Sequence, residues 1–252
     1  MLNMPPRKMF VRLLMEDLAG LLFALASEDR LTLFSAITVE RLRLTELARK
    51  LSASTQETSR HLSRLQEAKL IKKESDGCFV PTELGRDLAG ILPSLKLLNH
   101  HGEYFLSHNL SGLPLEFLER IGELERGELG QGVGLILNHT ARVLREAKRD
   151  VWLASDNVMD LNTIGGGEVG EDVRIRIVVS ARAIAGVPPP SGRLEKRIEL
   201  KLADSVPAGL ALNEMLAGVT LPDLTGKIDF NAGLVGSDPK FRKWCDDLFT
   251  FY

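Results

Sequence analysis

Apolar residues recur at helical spacing along the first part of the chain. They predict a helix from Phe10 to Ala26, a second after Ser27 as its cap, a third after Thr45 as its cap, and a fourth with Thr55 or Ser54 as its cap. The third and fourth helices turn apolar residues inward: Leu47, Ala48, Leu51, Leu62, Leu65 and Ala68. The turn "SAS" joins these two short helices, so the pattern predicts a helix–turn–helix.

Two β-prone runs follow the fourth helix. "LIKKE" and "CFVP" are joined by "SDG", and the pair Asp76-Gly77 is a hairpin signal. The chain then resumes as helix at Thr82, and "LKLLNHHGEYFLSHNL" continues as another. A helix–turn–helix followed at once by a hairpin predicts a winged helix–turn–helix, with one helix in the major groove of DNA and the hairpin beside it.

The pattern changes past residue 110. Two helical segments come first, and then five runs rich in Val, Ile and Leu that predict strands. A last amphipathic helix starts at Asp238-Pro239, and "IGGGEVGED" and "GVPPPSG" are predicted loops. The predicted fold class is α+β: a winged helix–turn–helix domain over residues 1–94, a helical linking and dimerisation region over 95–130, and an α/β effector domain with a central sheet over 131–252.

Composition and charge narrow the function classes. The apolar content of 44% and charged content of 26% are those of a globular protein. Two cysteines cannot form a disulfide framework, the apolar run near the N-terminus is broken by charges, and no stretch is long enough to span a membrane, so we expect a cytoplasmic protein. Residues 1–110 hold fifteen Lys and Arg against thirteen Asp and Glu, so binding to nucleic acid would need a local basic patch. The segment from Thr55 to Lys73 is such a patch.

The helix–turn–helix segment "TELARKLSASTQETSRHLSRLQEAKLI" resembles that of ArsR-like winged-helix regulators. The matching residues are Leu47-Ala48, Ser59-Arg60-His61-Leu62, Leu65, Ala68, Leu70 and Ile71, and "VPTELGRDLA" looks like the family's "T-x-x-G" helix after the wing. Lys69 stands where the family commonly has Gly. A helix end there often needs a positive φ, which costs a lysine about 1 kcal/mol.

The end of the chain, "GSDPKFRKWCDDLFTFY", resembles the final helix of archaeal regulators that join such a DNA-binding domain to a methanogen-type output domain. This resemblance implies an effector domain that is phospholipase-D-like in outline. That chemistry needs His-x-Lys, and no His of the chain is followed two positions later by Lys. The chain also lacks GxSxG, HExxH and Walker A runs, so the sequence predicts no enzyme and no cofactor.

The resemblance also implies which residues meet DNA. The start of the recognition helix faces base edges, and the candidates there are Thr55, Gln56, Ser59 and Arg60. Gln can bond adenine in two places, and Arg can do the same with guanine. Arg64 is expected on phosphate, the wing residues Lys72 and Lys73 on the backbone, and His61 either in packing or on phosphate.

Further expectations concern partners. A single module contacts few base pairs, so we expect a homodimer that reads two half-sites about 34 Å apart. The predicted interface is the helix of Leu95–Leu106, with apolar residues at Leu95, Leu97, Leu98, Tyr104, Phe105 and Leu106. The effector, a small molecule or a protein, is not written in the sequence.

Two alternatives stay open at this point. The first is a metal-responsive regulator that binds zinc through His100, His101, Glu103 and His108 on the helix after the wing, although no paired-Cys site is present. The second is a redox switch at Cys78 in the wing, against a thiol that only packs.

Overall fold

The computed structural model describes residues 17–157, 169–183 and 197–252 of the chain. Its contacts divide the chain into two compact units, Met1–Leu92 and Pro93–Tyr252. One sheet has three strands and the other has seven, so the mixed α+β architecture predicted from the sequence is confirmed. Within the described ranges, every helix is too short or too polar to cross a membrane.

The first unit follows the predicted order of helices and hairpin. Its elements are α1 (17–25), α2 (Glu28–Val39), β1 (Leu42–Arg43), α3 (Leu44–Leu51), α4 (Thr55–Glu67), β2 (Ile71–Lys73), β3 (Cys78–Pro81) and the start of α5 (Glu83–His100). The three strands form an antiparallel sheet in the order β1-β3-β2. Residues 1–16, which include the start of the predicted first helix, lie outside the described residues.

The hairpin of β2 and β3 forms the wing. Glu74 and Cys78 are bonded through their backbones at 2.8 Å, and Gly77 takes the left-handed conformation with φ 84°. Only a residue without a Cβ adopts that conformation freely, which is why Asp-Gly predicted this turn. The prediction is confirmed.

Helix α4 begins where its cap predicts. The Ser54 Oγ accepts a hydrogen bond from the Glu57 N–H at 3.1 Å, and the buried Thr58 hydroxyl donates to the Ser54 carbonyl at 2.9 Å. One face of the helix is buried by Leu62 and Leu65, as predicted. These residues share a core with α2 and the wing, which includes Leu33, Phe34, Ile37, Leu47, Leu70 and Phe79.

The predicted cap of α3 is wrong. The helix begins at Leu44, so Thr45 lies inside its first turn. The Glu46 carboxylate accepts the hydrogen bond of the Arg43 N–H at 2.7 Å instead. This bond satisfies a backbone N–H group at the start of the helix, as the side chain of a capping residue also does.

The second unit contains the rest of α5 and a mixed seven-stranded sheet. Its further elements are α6 (Gly102–Ser107), α7 (Leu115–Glu119), a 3-10 helix (Ile121–Leu124), β4 (Glu128–Gln131), α8 (Val133–Glu146), β5 (Asp150–Ser155), β6 (Arg174–Ser180), β7 (Ile198–Ala203), β8 (Gly209–Leu212), β9 (Ala217–Thr220), β10 (Ala232–Gly236) and α9 (Pro239–Phe251). The strand order is β4-β10-β9-β8-β5-β6-β7, and only β5, β6 and β7 run parallel.

Helices cover both faces of this sheet. Along β5, Val151 and Leu153 belong to a core with α8, while Trp152 and Ala154 face a core with α9. The alternation follows from the period of two along a strand. Cores on both faces give the second unit the layered α/β arrangement that the strand runs predicted.

Helix α9 begins at the predicted Asp-Pro signal. The Asp238 side chain accepts the Lys240 N–H at 2.9 Å, and Pro239 occupies the first turn. The buried Trp244 on this helix donates its Nε1 hydrogen to the Phe117 carbonyl at 3.1 Å. Trp244 is therefore a core residue.

The region that we predicted as a separate link, residues 95–130, contributes to this second core. Leu97, Tyr104, Phe117 and Leu124 are all buried there. The Tyr104 hydroxyl also accepts the Leu221 N–H at 3.2 Å, which ties α6 to the end of β9. The predicted Pro-rich loop and the Gly-rich run up to residue 168 lie outside the described residues.

Candidate nucleic-acid interface

Helix α4 has two chemically distinct faces. Leu62 and Leu65 are buried, whereas Gln56, Ser59 and Arg60 are exposed. The exposed residues are three and four positions apart, so they lie on one side of the helix. Thr55 and Arg64 are exposed as well. Hydrogen-bonding and basic side chains therefore stand free on the side of α4 that faces away from the core.

The two arginines of this face differ in their bonding. Arg64 pairs with Glu67 one turn on, at 3.2 Å. Both side chains are exposed, and exposed pairs of this kind contribute little stability, so Arg64 can exchange Glu67 for another anion at small cost. Arg60 forms no ion pair with any residue that the structure describes. Its guanidinium is the freer of the two for bidentate hydrogen bonding.

His61 takes a different direction. Its Nε2 lies 3.5 Å from an Asp29 carboxylate oxygen on α2, and its side chain is only 20% exposed. Of the two roles predicted for His61, this position corresponds to packing against a neighbouring helix. Asp29 was not predicted as its partner, because no local pattern connects two residues so far apart in sequence.

The wing carries the two predicted lysines on β2, and both are exposed. The Lys72 Nζ lies 3.4 Å from a Glu74 carboxylate oxygen, and the Lys73 Nζ lies 5.7 Å from the centre of the Phe79 ring. Neither contact removes the ammonium groups from solvent. Both ammonium groups are therefore exposed on the wing.

Arg41, just before β1, is a residue of this surface that the sequence did not reveal. Its Nη2 donates to Glu74 at 3.1 Å and to Asp76 at 2.8 Å. The second oxygen of Asp76 accepts the Cys78 N–H at 3.0 Å. This backbone bond, followed by the bond from Arg41, lowers the pKa of Asp76 below its usual range.

Of the histidines predicted as zinc ligands, His100 and His101 have their ring centroids 4.5 Å apart. Helix α5 ends at His100 and α6 begins at Gly102, and burial followed by the charge of His100 lowers the pKa of His101. His108 packs on the Tyr104 ring with centroids 3.9 Å apart and lies 3.3 Å from Asp229. Among the described residues, no group of three or more His, Cys, Asp or Glu side chains is arranged to hold a metal ion.

The cysteines lie in two different settings. Cys78 is half-buried in β3, and Cys245 is fully buried on α9. Burial raises the pKa of the Cys245 thiol, so this sulfur stays protonated and unreactive. Neither the half-buried position of Cys78 nor the burial of Cys245 adds support for a redox switch at Cys78.

No family model matches the chain, and no curated protein does. Solved structures that resemble it include TrmBL2, an archaeal chromatin protein whose structure shows a novel mode of DNA binding. That match covers 90% of this chain and 92% of TrmBL2 at 17% identity, with a TM-score of 0.40. Reduced HlyU from Vibrio cholerae matches 34% of this chain and 94% of its own at 25% identity and a TM-score of 0.30. NolR from Sinorhizobium fredii matches 38% of this chain and 96% of its own at 25% identity and a TM-score of 0.32.

Methyltransferase structures also match. CalO1 of calicheamicin biosynthesis aligns with 82% of this chain and 70% of its own at 16% identity, with a TM-score of 0.28. Human N-acetylserotonin methyltransferase aligns with 82% of this chain and 69% of its own at 16% identity, with a TM-score of 0.27. These matches contradict the sequence-based prediction that the chain is not an enzyme, and that prediction is withdrawn. At these TM-scores neither a shared fold nor an activity is inferred from the matches.

Proposed function

We propose that this chain is a DNA-binding transcriptional regulator that places α4 in the major groove and the β2–β3 wing on the adjacent backbone. The observation that carries the proposal is the exposed polar face of α4, opposite the buried Leu62 and Leu65. The major groove of B-DNA is about 12 Å wide and admits one α-helix, so such a face reaches base edges. A winged helix–turn–helix unit is the framework that holds a helix in this position.

Specific recognition is assigned to the start of the helix. Gln56 and Arg60 are exposed, and their side chains offer the bidentate pairings that read adenine and guanine. Thr55 and Ser59 add single hydrogen bonds. Arg64, Lys72 and Lys73 contact backbone phosphates, which positions the protein on DNA without reading its sequence. His61 supports the helix through Asp29 and is not assigned a base contact.

The experiment starts by selecting duplexes from a randomised pool with the full-length protein. Arg60→Ala is then expected to lose about 1–3 kcal/mol of affinity for the selected site and to relax its preference at one base pair. Lys72→Ala should weaken all duplexes alike and reduce the salt dependence of binding. Lys96→Ala is the matched control, because it removes an exposed lysine that is not part of α4 or the wing, and it should bind as the parent does. Selection that enriches no sequence, together with unchanged affinity of the Arg60 and Lys72 variants, would contradict the proposal.

The proposed regulator acts as a homodimer. An apolar face of α5 supports the proposal of a dimer. Apolar residues recur there at alternating spacings of four and three: Leu84, Leu88, Ile91, Leu95 and Leu98. Leu88 is half-buried and the other four are exposed. An apolar stripe with this spacing is the seam by which two helices pair. The occupant that fits it is the same stripe on a second copy, since a two-fold pair brings identical surfaces together.

This stripe differs from the interface that the sequence predicted. Leu97 and Tyr104 are buried within the second unit, and Phe105 packs against its core. Leu97 and Tyr104 are therefore not available to a partner. Leu95, Leu98 and Leu106 are exposed, and along α5 the exposed apolar positions also continue toward the start of the helix.

The second unit is proposed as the effector domain. It has its own buried cores on the two faces of the sheet, and the residues proposed to meet DNA all belong to the first unit. Thermal denaturation of the full-length protein with a panel of metabolites tests this part. A ligand that binds only the folded state raises the unfolding temperature, and the rise grows with the logarithm of its concentration above its Kd. A panel member that also changes affinity for the selected duplex identifies the effector class.

A further inference from the structure

The wing tip carries negative as well as positive charge. Lys72 and Lys73 lie on β2, and Glu74 and Asp76 follow at once in the turn. The hairpin therefore has no net charge from these four side chains. A charge-neutral hairpin is poorly suited to lie on phosphates, because each carboxylate offsets one ammonium group.

Arg41 changes this balance from outside the hairpin. The same nitrogen, Nη2, donates to both carboxylates, at 3.1 Å to Glu74 and at 2.8 Å to Asp76. Its backbone is held against the wing, since the next two residues form β1, which pairs with β3. The guanidinium thus lies between the two acidic side chains and neutralises part of their charge.

The two carboxylates are also held by the hairpin itself. Asp76 accepts the Cys78 N–H at 3.0 Å, and Glu74 has its other oxygen 3.4 Å from the Lys72 Nζ. With Arg41 on Glu74, Lys72 shares that carboxylate instead of neutralising it alone. The side chain of Lys72 is 58% exposed, so its ammonium group stays accessible to DNA.

We infer that Arg41 is a positioning residue of the DNA interface. It neutralises Glu74 and Asp76 and holds them to one side, which leaves Lys72 and Lys73 to contact phosphate. The inference rests on the proposed function and adds to it a residue that acts through two others. Arg41 itself does not touch the phosphate.

The test compares Arg41→Gln in two backgrounds with a mixed-sequence DNA duplex, by fluorescence anisotropy at several salt concentrations. In the parent chain Arg41→Gln should weaken binding about tenfold at low salt, because two carboxylates become free to repel phosphate. In the Glu74→Gln, Asp76→Asn background the same change should have almost no effect. A merely structural role for Arg41 would not be rescued by removing the charges of its partners.

Three results would overturn the inference. Equal losses in both backgrounds, with a smaller salt dependence, would mean that Arg41 contacts phosphate directly. Unchanged binding of Arg41→Gln would mean that the acidic side chains do not matter. Weaker binding of the Glu74→Gln, Asp76→Asn protein than of the parent would show that the carboxylates help, and this comparison remains decisive if Arg41→Gln fails to fold. Failure of the proposed function itself is recognised separately, since Arg60→Ala and Lys72→Ala would then bind as the parent does.

Discussion

The α-carbon of Gly85 lies directly against the carbonyl oxygen of Leu70, so closely that any Cβ at position 85 would overlap that oxygen. The same oxygen accepts the Thr82 N–H at 3.0 Å, and the Thr82 hydroxyl donates to the Lys69 carbonyl at 2.6 Å. The Gly85 N–H in turn donates to the Thr82 hydroxyl at 3.0 Å. Thr82 and Gly85 of "TELG" thus connect the segment that follows α4 to the start of α5. Thr82 caps α5, and the absence of a Cβ at Gly85 leaves space for the Leu70 carbonyl oxygen.

Gly85→Ala is expected to destabilise the protein by about 2 kcal/mol or more, because backbone atoms must separate to admit the methyl group. Gly90→Ala is the matched control on the same helix. Nothing lies within 4 Å of a Cβ at Gly90. That change should stabilise the protein by about 0.5–1 kcal/mol, the usual gain from Ala over Gly inside a helix. Urea denaturation followed by circular dichroism measures both. Equal effects of the two substitutions would show that the contact with Leu70 has no energetic weight.

Lys69 adopts the left-handed conformation, with φ 59°, which a residue with a Cβ adopts only at a cost. Lys69→Gly should therefore raise the free energy of unfolding by about 1 kcal/mol by relieving the strain of the Cβ. Lys69→Ala is the control: it removes the charge and keeps the Cβ, so stability should stay near that of the parent. The comparison uses the same urea transition. A gain in both variants would assign the effect to the lysine charge instead of the backbone.

The helix–turn–helix could be read from the sequence because its determinants are local. Leu62 and Leu65 repeat at helical spacing, Ser54 stands at the cap, and Asp76-Gly77 specifies the turn. Each of these signals involves residues within one turn or one hairpin. Five strand runs of the second unit were readable for the same reason. The start of β4 was predicted as helix, however, and the single run predicted over residues 210–221 forms two strands, β8 and β9.

Features that depend on distant residues could not be predicted. Arg41 meets its two carboxylates more than thirty positions away, and His61 finds Asp29 on another helix. The proposed dimer surface shows the same limit. Leu97 and Leu98 are adjacent leucines in the sequence, and only the packing of the second unit decides that the first is buried and the second exposed.

The α5 stripe leads to a prediction on oligomeric state. Leu95→Glu should convert the dimer to a monomer, because a charge in the centre of an apolar seam is costly to bury. Leu106→Glu is the matched control: it places the same charge at an exposed leucine of α6, outside the stripe. Size-exclusion chromatography with light scattering at micromolar concentration distinguishes them. A parent protein that is already monomeric, or a dimer that Leu106→Glu disrupts and Leu95→Glu does not, would contradict the assignment to α5.

Glu214 stabilises the turn that leads into β5, and its contribution should depend on pH. Its carboxylate accepts the N–H groups of Lys148 at 3.2 Å, Arg149 at 2.7 Å and Asp150 at 2.8 Å. Burial acts to raise the pKa of Glu214, but the backbone hydrogen bonds outweigh it, and the pKa in the folded protein lies below the usual value. A lowered folded pKa means that the stabilisation is present above the unfolded pKa, about 4.3, and is lost as the pH falls through the folded value.

Glu214→Gln should therefore reduce the free energy of unfolding by about 1–2 kcal/mol at neutral pH, since an ionised acceptor is replaced by a neutral one. The difference from the parent should shrink as the pH is lowered below about 4. Glu119→Gln is the control, because Glu119 is exposed at the end of α7 and forms no ion pair with a described residue. Thermal unfolding between acidic and neutral pH measures both variants. If the difference in stability between the parent and Glu214→Gln stayed constant across this pH range, the loss would come from packing. A loss that comes from the charge of the carboxylate must disappear when Glu214 is protonated.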